Sequence, residues 1–415
     1  MYHAPRNAPL RRRPTAYVAS SPAPVQAVAS AHRLTSRGQR AAICTIPMQS
    51  PCLVRPGQLH ASKRMPHLRA LRADNLIADG VFWRSMAPSA AVEFVVKPYG
   101  IHKFSTTIAD FDLRRIRAAN SDAQVVMDLS GVTFVRPSML VLLRSFVELL
   151  LKGDPTRGIS PRPRVSARPP KSKSVKDYLN TMNLFGHGAA SEGSEAHHLP
   201  LCGFQTSDET ETIANKLKQI AIGSAKNDLP QAELQRVGMA LGTALGELLE
   251  NFRKHSEATR RGFACAQYYS PGEYRDEGLR RRRRRGFFEI AVADTGIGVE
   301  KSLAVVPAHA ALIGSGVNPC ELATRFGVTS KPGVHGGYGL WVAKRLCERS
   351  EGAFKLASGR FSYASGGKRR GRAARLAASA EWPGTFVGLR LALSGQLDVT
   401  RVYDELPPLP LMEED

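Results

Sequence analysis

Along much of the chain, apolar residues recur every three or four positions, which is the period of an amphipathic helix. The longest such segment is ELQRVGMALGTALGELLENFRKHSEA. Its apolar stripe consists of Val237, Leu241, Leu245, Leu248 and Phe252. The same spacing predicts helices in TTIADFDLRRIRAAN, SMLVLLRSFVELLLKG, SVKDYLNTMNLFG and ETETIANKLKQIAIGSAKN, and over residues 340–349. We expect Ser138 and Ser174 to be the N-caps of the second and third of these, and Gly153 to end the second.

Shorter runs rich in β-branched and aromatic residues predict strands between these helices. They are AVEFVV, AQVVMD, FFEIAVA and TFVGLRLAL. Strands that alternate with helices are typical of an α/β fold. We therefore expect a smaller α/β domain in residues 89–187, a polar linker in 188–208, a larger α/β domain in 209–396 and a tail in 397–415.

The chain has 415 residues, of which 43% are hydrophobic, so it is long enough for two or three domains with buried cores. Its most apolar segment, MLVLLRSFVELLL, is interrupted by Arg144 and Glu148. No stretch reaches the roughly 18 apolar residues that a membrane helix needs. The six cysteines form no CxxC pair, which argues against a zinc site or a disulfide framework. We expect a cytoplasmic protein with no membrane partner.

The net charge of +22 is the most unusual bulk property of the chain. Residues 1–73 contain no Asp or Glu, and further basic clusters lie at 157–176, 280–285 and 360–375. Each of these three clusters lies between apolar segments, where we expect a loop. No aromatic residues interleave with the arginines in a recognisable reading element, so nucleic-acid binding is not favoured, although it stays open.

The acid-free start of the chain has the composition of an organellar transit peptide. It also resembles untranslated sequence translated from a start codon placed too early, with Met65 and Met86 as alternative starts. On either interpretation, we expect residues 1–88 to be disordered and to carry no function.

Glu247 and Asn251 stand four positions apart on the longest predicted helix, so their side chains project from one face about one turn apart. An amide oxygen is a hard ligand suited to magnesium, and a nearby carboxylate can orient or deprotonate a nucleophile. Such a pair is also common on a solvated helix face, so its meaning depends on the segments that follow.

Asp294 ends the apolar strand FFEIAVA and is followed by the turn TGIG. A carboxylate at a strand end can accept a hydrogen bond from the exocyclic amine of adenine. Gly296 and Gly298 would let the backbone approach the ring without a side-chain clash. Thr385, at the start of the strand TFVGLRLAL, could offer its hydroxyl to the same base.

The segment GVHGGYGL places Gly336, Gly337 and Gly339 at the start of a predicted helix. Glycines at this position free the first backbone N–H groups of the helix to hold phosphate, with help from the helix dipole.

The order ELLENFRKHS, DTGIG, GGYGL and GTF before a strand resembles the motif set of the ATPase superfamily that includes gyrase, heat-shock chaperones, histidine kinases and mismatch-repair proteins. The resemblance covers residues 234–394. It implies a two-layer α/β sandwich of the Bergerat type that binds ATP with Mg²⁺, in which Asn251 ligates the magnesium and Glu247 is the catalytic base.

The same resemblance implies the roles of the remaining motif residues. Asp294 would bind adenine with support from Gly296, Gly298 and Thr385. The phosphates would be lined by Lys254, His255, Gly337 and Gly339, with Gly336, Tyr338 and Leu340 in the same nucleotide-binding turn. Residues 300–335 would form a lid over the nucleotide.

Residues 91–187 resemble the STAS domain of anti-sigma-factor antagonists, on the order strand, helix, strand, DLSGVTFVRPSML, long helix and SVKDYLNTMNLF. In that family the turn before the long helix often has the sequence Asp-Ser-Ser-Gly-Leu, and a partner kinase phosphorylates its second Ser. Ser138 matches that position, but Arg136 replaces the Asp and Met139 replaces the Gly. The alternative is that Ser138 only caps the helix, in a degenerate STAS-like domain kept for contacts.

Ordinary histidine kinases carry a phospho-accepting His on a pair of helices before the ATPase domain, whereas His187, His197 and His198 lie in the predicted linker. Glu247, where histidine kinases commonly carry Asn, points instead to the anti-sigma-factor serine kinases, whose partners are STAS domains.

We expect a bacterial regulatory enzyme that uses ATP to phosphorylate a protein Ser or Thr, or that hydrolyses ATP as a switch. The alternative is a non-catalytic ATP-sensing adaptor that controls a regulatory protein partner through its STAS-like half. A homodimer is compatible with both.

Overall fold

A computed structural model describes residues 81–83, 91–95, 108, 111–121, 123–162, 164–185, 197–255, 261–271, 285–333, 336–366, 369–377, 380–393 and 396–406. All of them belong to one compact unit, Pro66–Asp415. The protein is a mixed α/β protein, as the pattern of apolar residues predicts. The expectation of disorder in residues 1–80, and that of a basic loop at 280–284, lie outside the described residues.

The first sheet contains four parallel strands in the order β1–β4–β3–β2. They are β1 (Val81–Trp83), β2 (Ala91–Val95), β3 (Gln124–Asp128) and β4 (Val165–Arg168). Strand β1 lies inside residues 1–88, which we expected to be disordered, and it pairs with β4. That expectation was wrong for these residues, because the sequence VFW consists of the β-branched and aromatic types that favour strands.

The second sheet contains seven antiparallel strands in the order β10–β9–β8–β11–β7–β6–β5. They are β5 (His198–Phe204), β6 (Gly262–Tyr269), β7 (Phe287–Ala293), β8 (Ala353–Gly359), β9 (Phe361–Gly366), β10 (Arg369–Arg375) and β11 (Trp382–Ala392). The basic clusters at 157–176 and 360–375, both predicted to be loops, contain regular structure, since β4 and the start of α3 lie in the first. The cluster at 360–375 forms β9 and the edge strand β10, on which Arg372 and Arg375 are exposed. Charged side chains on an edge strand hinder pairing with another chain.

The helices in chain order are α1 (Leu113–Ala118), α2 (Pro137–Lys152), α3 (Lys173–Thr181), α4 (Ser207–Ala225), α5 (Gln231–His255), α6 (Val299–Leu303), α7 (Pro307–Gly314), α8 (Pro319–Leu322), α9 (Gly339–Arg349) and α10 (Val399–Tyr403), with a 3₁₀ turn at Pro155–Arg157. None of the helices in the described part of the chain is long and apolar enough to cross a membrane.

Both faces of the seven-stranded sheet are covered by helices. Phe288, Ile290 and Val292 of β7 belong to a core shared with α4, α5 and α9. Ala291 and Ala293 of the same strand face the other way and belong to a core shared with α2, which packs on β6 and β7. The predicted two-layer sandwich therefore accounts for the sheet and the helices on one of its faces only. The other face of the sheet is covered by the smaller α/β module. The sequence FFEIAVA has no polar alternation, as expected of a strand buried on both faces.

The predicted boundaries of the linker and of the tail differ from those in the structure. The expected linker, 188–208, contains β5, which pairs with β6 at the sheet edge, and the beginning of α4. The expected tail, 397–415, contains α10, whose Val399 and Val402 are buried. In both segments, apolar side chains at the spacing of a strand or a short helix are buried against the larger core.

The caps of α2 and α3 differ from the prediction. Arg136 is the N-cap of α2, and Pro137 takes the first helical position, which suits a residue without an N–H donor. The N-cap of α3 is Ser172, whose Oγ accepts from the backbone of Val175 at 3.5 Å, and not Ser174. Gly153 ends α2 as predicted, with a φ of 67°.

Candidate functional site

A cleft of about 690 Å³, open to solvent, holds many of the residues predicted to form a site. It is lined by Asn251, Phe252, Asp294, Gly298, Val299, Ser302, Leu303, Ala323, Val328, Thr329, Ser330, Gly337, Gly339, Leu340 and Thr385. Residues from four separate sequence motifs therefore meet at one place.

Asp294 follows β7 directly, and the backbone around it fixes its carboxylate. Its Oδ1 accepts hydrogen bonds from the N–H groups of Gly296 at 2.8 Å and Thr385 at 3.0 Å. Its own N–H donates to Thr385 O at 2.9 Å, and its carbonyl accepts from Trp382 Nε1 at 3.1 Å. With Oδ1 engaged, Oδ2 is the oxygen left to accept a hydrogen bond from a ligand in the cleft.

Burial raises the pKa of Asp294 to about 6, against the lowering effect of the Gly296 and Thr385 N–H groups and of the Arg157 charge. The carboxylate is only 3% exposed. At neutral pH it is therefore still mainly ionised and acts as a hydrogen-bond acceptor.

Gly384 is a site residue that the sequence analysis did not single out. A Cβ at this position would lie 2.4 Å from Asp294 Oδ1 and 2.3 Å from Asp294 O. A side chain here would push the carboxylate out of place. The motif GTF contains this glycine, so the requirement for a close approach was available from the sequence.

Ser358 was also missed by the sequence analysis. Its side chain connects Gly384 of β11 with Val299 at the start of α6. Its buried Oγ donates to Gly384 O at 2.6 Å and accepts from Val299 N at 2.8 Å. Gly298 has a φ of +80°, and a Cβ there would lie 2.6 Å from Ser358 Oγ. Glycine is therefore required at 298 for both its conformation and its size. Nothing in the sequence around Ser358 indicates this long-range contact.

Glu247 and Asn251 lie against the N-terminus of α9. A Cβ on Gly339 would come within 2.2 Å of Asn251 Nδ2 and 2.9 Å of Glu247 Oε2. Glycine at 339 therefore lets the helix approach the two polar side chains of α5, in addition to the predicted role in exposing backbone N–H groups. Burial raises the pKa of Glu247, partly offset by the Lys254 charge.

The side chain of Asn251 lines the cleft, and its Nδ2 is buried without a hydrogen-bond partner. A buried polar group that no neighbour satisfies is costly unless a ligand or water completes it. The described residues hold no group of three or more His, Cys, Asp and Glu side chains suited to a metal ion. The donor set fits magnesium held by one amide oxygen and by ligand phosphates, and it does not fit a cage built from protein alone.

Gly337 lines the cleft with a φ of +70°, and a Cβ there would clash with Val328 O at 2.7 Å. Tyr338 is the N-cap residue of α9 and stacks on Phe326, with ring centroids 4.9 Å apart. Leu340 lines the cleft, whereas Gly336 is exposed and is not part of the lining.

Lys254 is placed differently from the prediction. Its Nζ lies 3.3 Å from Glu250 Oε2, in an ion pair one turn apart on α5, and it does not line the cleft. Glu250 also pairs with Arg253, whose hydrogen bonds lower the pKa of Glu250 to about 2. The carboxylate is therefore ionised and attracts both cations. The backbone of His255 ends α5, and its side chain lies outside the described part of the protein.

The predicted lid, 300–335, contains most of α6 and all of α7 and α8. Ser302 Oγ donates to Ser330 Oγ at 3.1 Å across the two ends of the segment, and Lys331 Nζ donates to Lys254 O at 2.7 Å. Ser302, Thr329 and Ser330 bring hydroxyl groups to the cleft that the sequence analysis did not predict. Hydrogen bonds thus join the two ends of the segment to each other and its C-terminal end to the end of α5.

Ser138, which the resemblance of the sequence aligns with a phosphorylated Ser, is 6% exposed. Its Oγ donates to Glu289 Oε1 at 3.4 Å beneath α2. It is not the cap of the helix, and its hydroxyl faces β7 of the seven-stranded sheet.

Comparison of the chain with models of known protein families, with curated proteins and with solved structures finds no match. The function must therefore be inferred from the motifs and from the geometry of the cleft.

Proposed function

We propose that this cleft binds ATP with Mg²⁺ and that the protein is a regulatory ATPase or Ser/Thr protein kinase of the gyrase and histidine-kinase superfamily. One observation carries the proposal. The backbone-fixed carboxylate of Asp294 and the buried amide of Asn251 line the same cleft, beside two glycines at the start of α9.

The purine end of the cleft would be formed at Asp294. Its free oxygen accepts a hydrogen bond from an exocyclic amine, while Gly298 leaves room for a planar ring. Val299, Leu303 and Val328 supply apolar contacts around it. A base with a carbonyl in place of the amine would present an acceptor to the carboxylate, which favours adenine over guanine.

The phosphate end would be formed by Asn251 and by the N-terminus of α9, a helix of 11 residues. Gly337 and Gly339 expose backbone N–H groups, and Ser302, Thr329 and Ser330 add hydroxyl donors. Bound Mg²⁺ would neutralise phosphate charge through the Asn251 amide oxygen.

Glu247 would act as the base. Its Oε2 lies close to Gly339 and to the Asn251 amide, and burial raises its pKa, which makes the carboxylate a stronger proton acceptor for an attacking water or hydroxyl. The antiparallel sheet with α4, α5 and α9 on one face supports assignment of residues 209–396 to the Bergerat type. The parallel strands β1–β4 with α2 support a STAS-like origin for the smaller module, which would contact a regulatory protein partner.

A second function is a non-catalytic ATP-sensing adaptor. It is favoured by the placement of Lys254, which pairs with Glu250 and is absent from the lining of the cleft. A site that lacks this cation has less charge to stabilise a transferred phosphoryl group.

Calorimetry with ATP and MgCl₂, followed by a turnover assay, separates these functions. We expect the wild type to bind ATP in the micromolar range. Asp294→Asn should lose at least about tenfold in affinity, because an amide N–H faces the donor of adenine. Glu247→Gln should bind as the wild type does and lose turnover, whereas Glu211→Gln, an exposed change on α4, should alter neither.

A wild-type protein that binds no ATP would refute the proposal. Binding without turnover, together with a partner interaction that depends on ATP, would select the adaptor.

A further inference from the structure

Arg157 belongs to the smaller module but contacts the larger one at the turn over residues 295–298 that follows Asp294, called here the purine turn. It ends the 3₁₀ turn Pro155–Arg157 that follows α2. Its Nη2 donates to Gly296 O at 2.5 Å, and its Nη1 lies 3.3 Å from Thr295 O. One guanidinium group therefore binds the first two carbonyls of the turn that follows Asp294.

The arginine is held in place from its own side. Its guanidinium pairs with Asp154, which is 2% exposed and caps the 3₁₀ turn by accepting from Thr156 N at 3.0 Å. The carbonyl of Arg157 accepts from Arg117 Nε at 2.9 Å, which ties the turn to α1. The side chain of Arg157 is only 13% exposed, so these contacts are shielded from water.

Gly296 connects this arginine to the carboxylate. Its carbonyl accepts from Arg157, and its N–H donates to Asp294 Oδ1 at 2.8 Å. Thr295–Gly296–Ile297–Gly298 is a glycine-containing turn with much conformational freedom of its own. The contact made by Arg157 limits that freedom at the residue that orients Asp294.

We propose that Arg157 is a positioning residue for the purine end of the cleft, through which the smaller module sets the affinity for nucleotide. The inference rests on the proposed function in that it takes the ligand of Asp294 to be adenine. A contact that moves the 3₁₀ turn away from Gly296 would loosen the carboxylate and weaken binding, without any change at the phosphate end.

Docking of the smaller module does not depend on this contact. The two modules already share an apolar core in which Phe146, Phe263 and Trp382 are buried. Loss of the guanidinium should therefore change the turn more than it changes the fold.

The test compares wild type, Arg157→Gln and Arg157→Lys, with Arg168→Gln as the control. Arg168 lies in the same module, where its side chain is 43% exposed and pairs with Asp128 of β3 at 3.2 Å. Calorimetry should show that Arg157→Gln binds ATP about tenfold more weakly, the loss expected for charge-assisted hydrogen bonds, whereas Arg168→Gln binds as the wild type does. The preference for ATP over GTP should fall by a similar factor, and Arg157→Lys should recover part of it.

Amide hydrogen exchange at Gly296, measured without nucleotide, tests the positioning by itself. Exchange should become about tenfold faster in Arg157→Gln than in the wild type, and Arg157→Lys, which keeps a positive charge beside the buried Asp154, should reverse part of the change. Unchanged exchange at Gly296, or an unchanged ATP-to-GTP ratio in a protein that binds ATP, would overturn the inference. If the wild type binds no ATP but exchange accelerates, the proposed function fails and the positioning of the turn by Arg157 stands.

Discussion

Gly339 lies so close to Asn251 that a Cβ added to it would come within 2.2 Å of the Asn251 amide nitrogen. The start of α9 and the polar face of α5 are thus in contact at the position where we place the metal and phosphates. A larger residue at 339 must displace either the helix or the amide.

Gly339→Ala should therefore reduce ATP affinity by at least about tenfold and remove most of the dependence of binding on Mg²⁺. The fold should lose about 1–3 kcal/mol, as is usual for overpacking of a well-packed contact. Titrations with and without MgCl₂ measure the first effect, and urea unfolding measures the second. Gly314→Ala is the matched control, because a Cβ at Gly314 meets nothing within 4 Å. Equal binding by the two variants would contradict the placement of Asn251 at the metal.

Asp294→Asn should make the protein more stable at pH 7 while it loses ATP binding. The folded-state pKa of about 6 lies above the unfolded value near 3.9, so the native state binds the proton more tightly. The stability contributed by this one carboxyl is then fully present below about pH 4 and is lost as the pH rises through about 6, at a cost of up to about 3 kcal/mol. The amide keeps an acceptor for Gly296 and Thr385 but carries no charge to bury.

Urea unfolding at pH 4 and pH 7 tests this sign. The variant and the wild type should have similar stability at pH 4 and diverge at pH 7. Asp404→Asn, an exposed change, should show no such divergence. A variant that is less stable than the wild type at pH 7 would mean that the charged carboxylate is well solvated.

The nucleotide affinity of the wild type should also fall as the pH drops through about 6. Protonation removes the charge from Asp294 and weakens its hydrogen bond to an amine donor. ATP titrations between pH 5 and pH 8 measure the effect, and adenosine, which has no phosphates to titrate, serves as the control ligand. Affinity for adenosine that is flat across this range would place the base away from Asp294.

Ser358→Ala should loosen the purine turn, because it removes the donor to Gly384 O and the acceptor for Val299 N. The loss of two buried hydrogen bonds should cost about 1–3 kcal/mol of stability and weaken ATP binding several-fold. Denaturant unfolding and calorimetry measure these changes, with the exposed Ser315→Ala at the C-terminal end of α7 as the control. Wild-type behaviour of Ser358→Ala would show that the turn is held by its own backbone.

Glu289→Gln should destabilise the protein by about 3–5 kcal/mol, as expected when a buried charge loses its partner. Glu289 is fully buried beneath α2, with Arg136 Nη1 at 3.6 Å and Arg390 Nη2 at 3.7 Å. Burial also lowers the pKa of the nearby Lys355 to about 8, and the Glu289 charge acts against this lowering. Guanidinium unfolding tests the cost, and Glu211→Gln, an exposed change on α4, should cost little.

The long helix α5 and strand β7 could be predicted from the sequence, because each has a strong apolar pattern of its own. The partners of Asp294 could be predicted only in part. Gly296 and Thr385 lie in recognisable motifs, although Thr385 contributes its backbone N–H to the carboxylate, whereas we had expected its hydroxyl to bind the base.

Arg157 and Ser358 could not be predicted, since their contacts join residues 139 and 59 positions apart with no periodic signal. Arg157 lies in a 3₁₀ turn, and the carbonyls that it binds come from the other sheet's loop. Ser358 lies in β8, whose pairing with β11 depends on residues from elsewhere in the chain. Long-range pairing outweighs local preference in β-structure.

Burial of the seven-stranded sheet on both faces has a consequence for any attempt to divide the chain. A shortened protein that begins at residue 209 would lack the edge strand β5 and would expose the apolar side chains of β6 and β7 that α2 covers. Such a surface tends to self-associate in solution. The boundary visible in the sequence is therefore a poor place to cut, and the smallest piece that stays folded should retain both sheets.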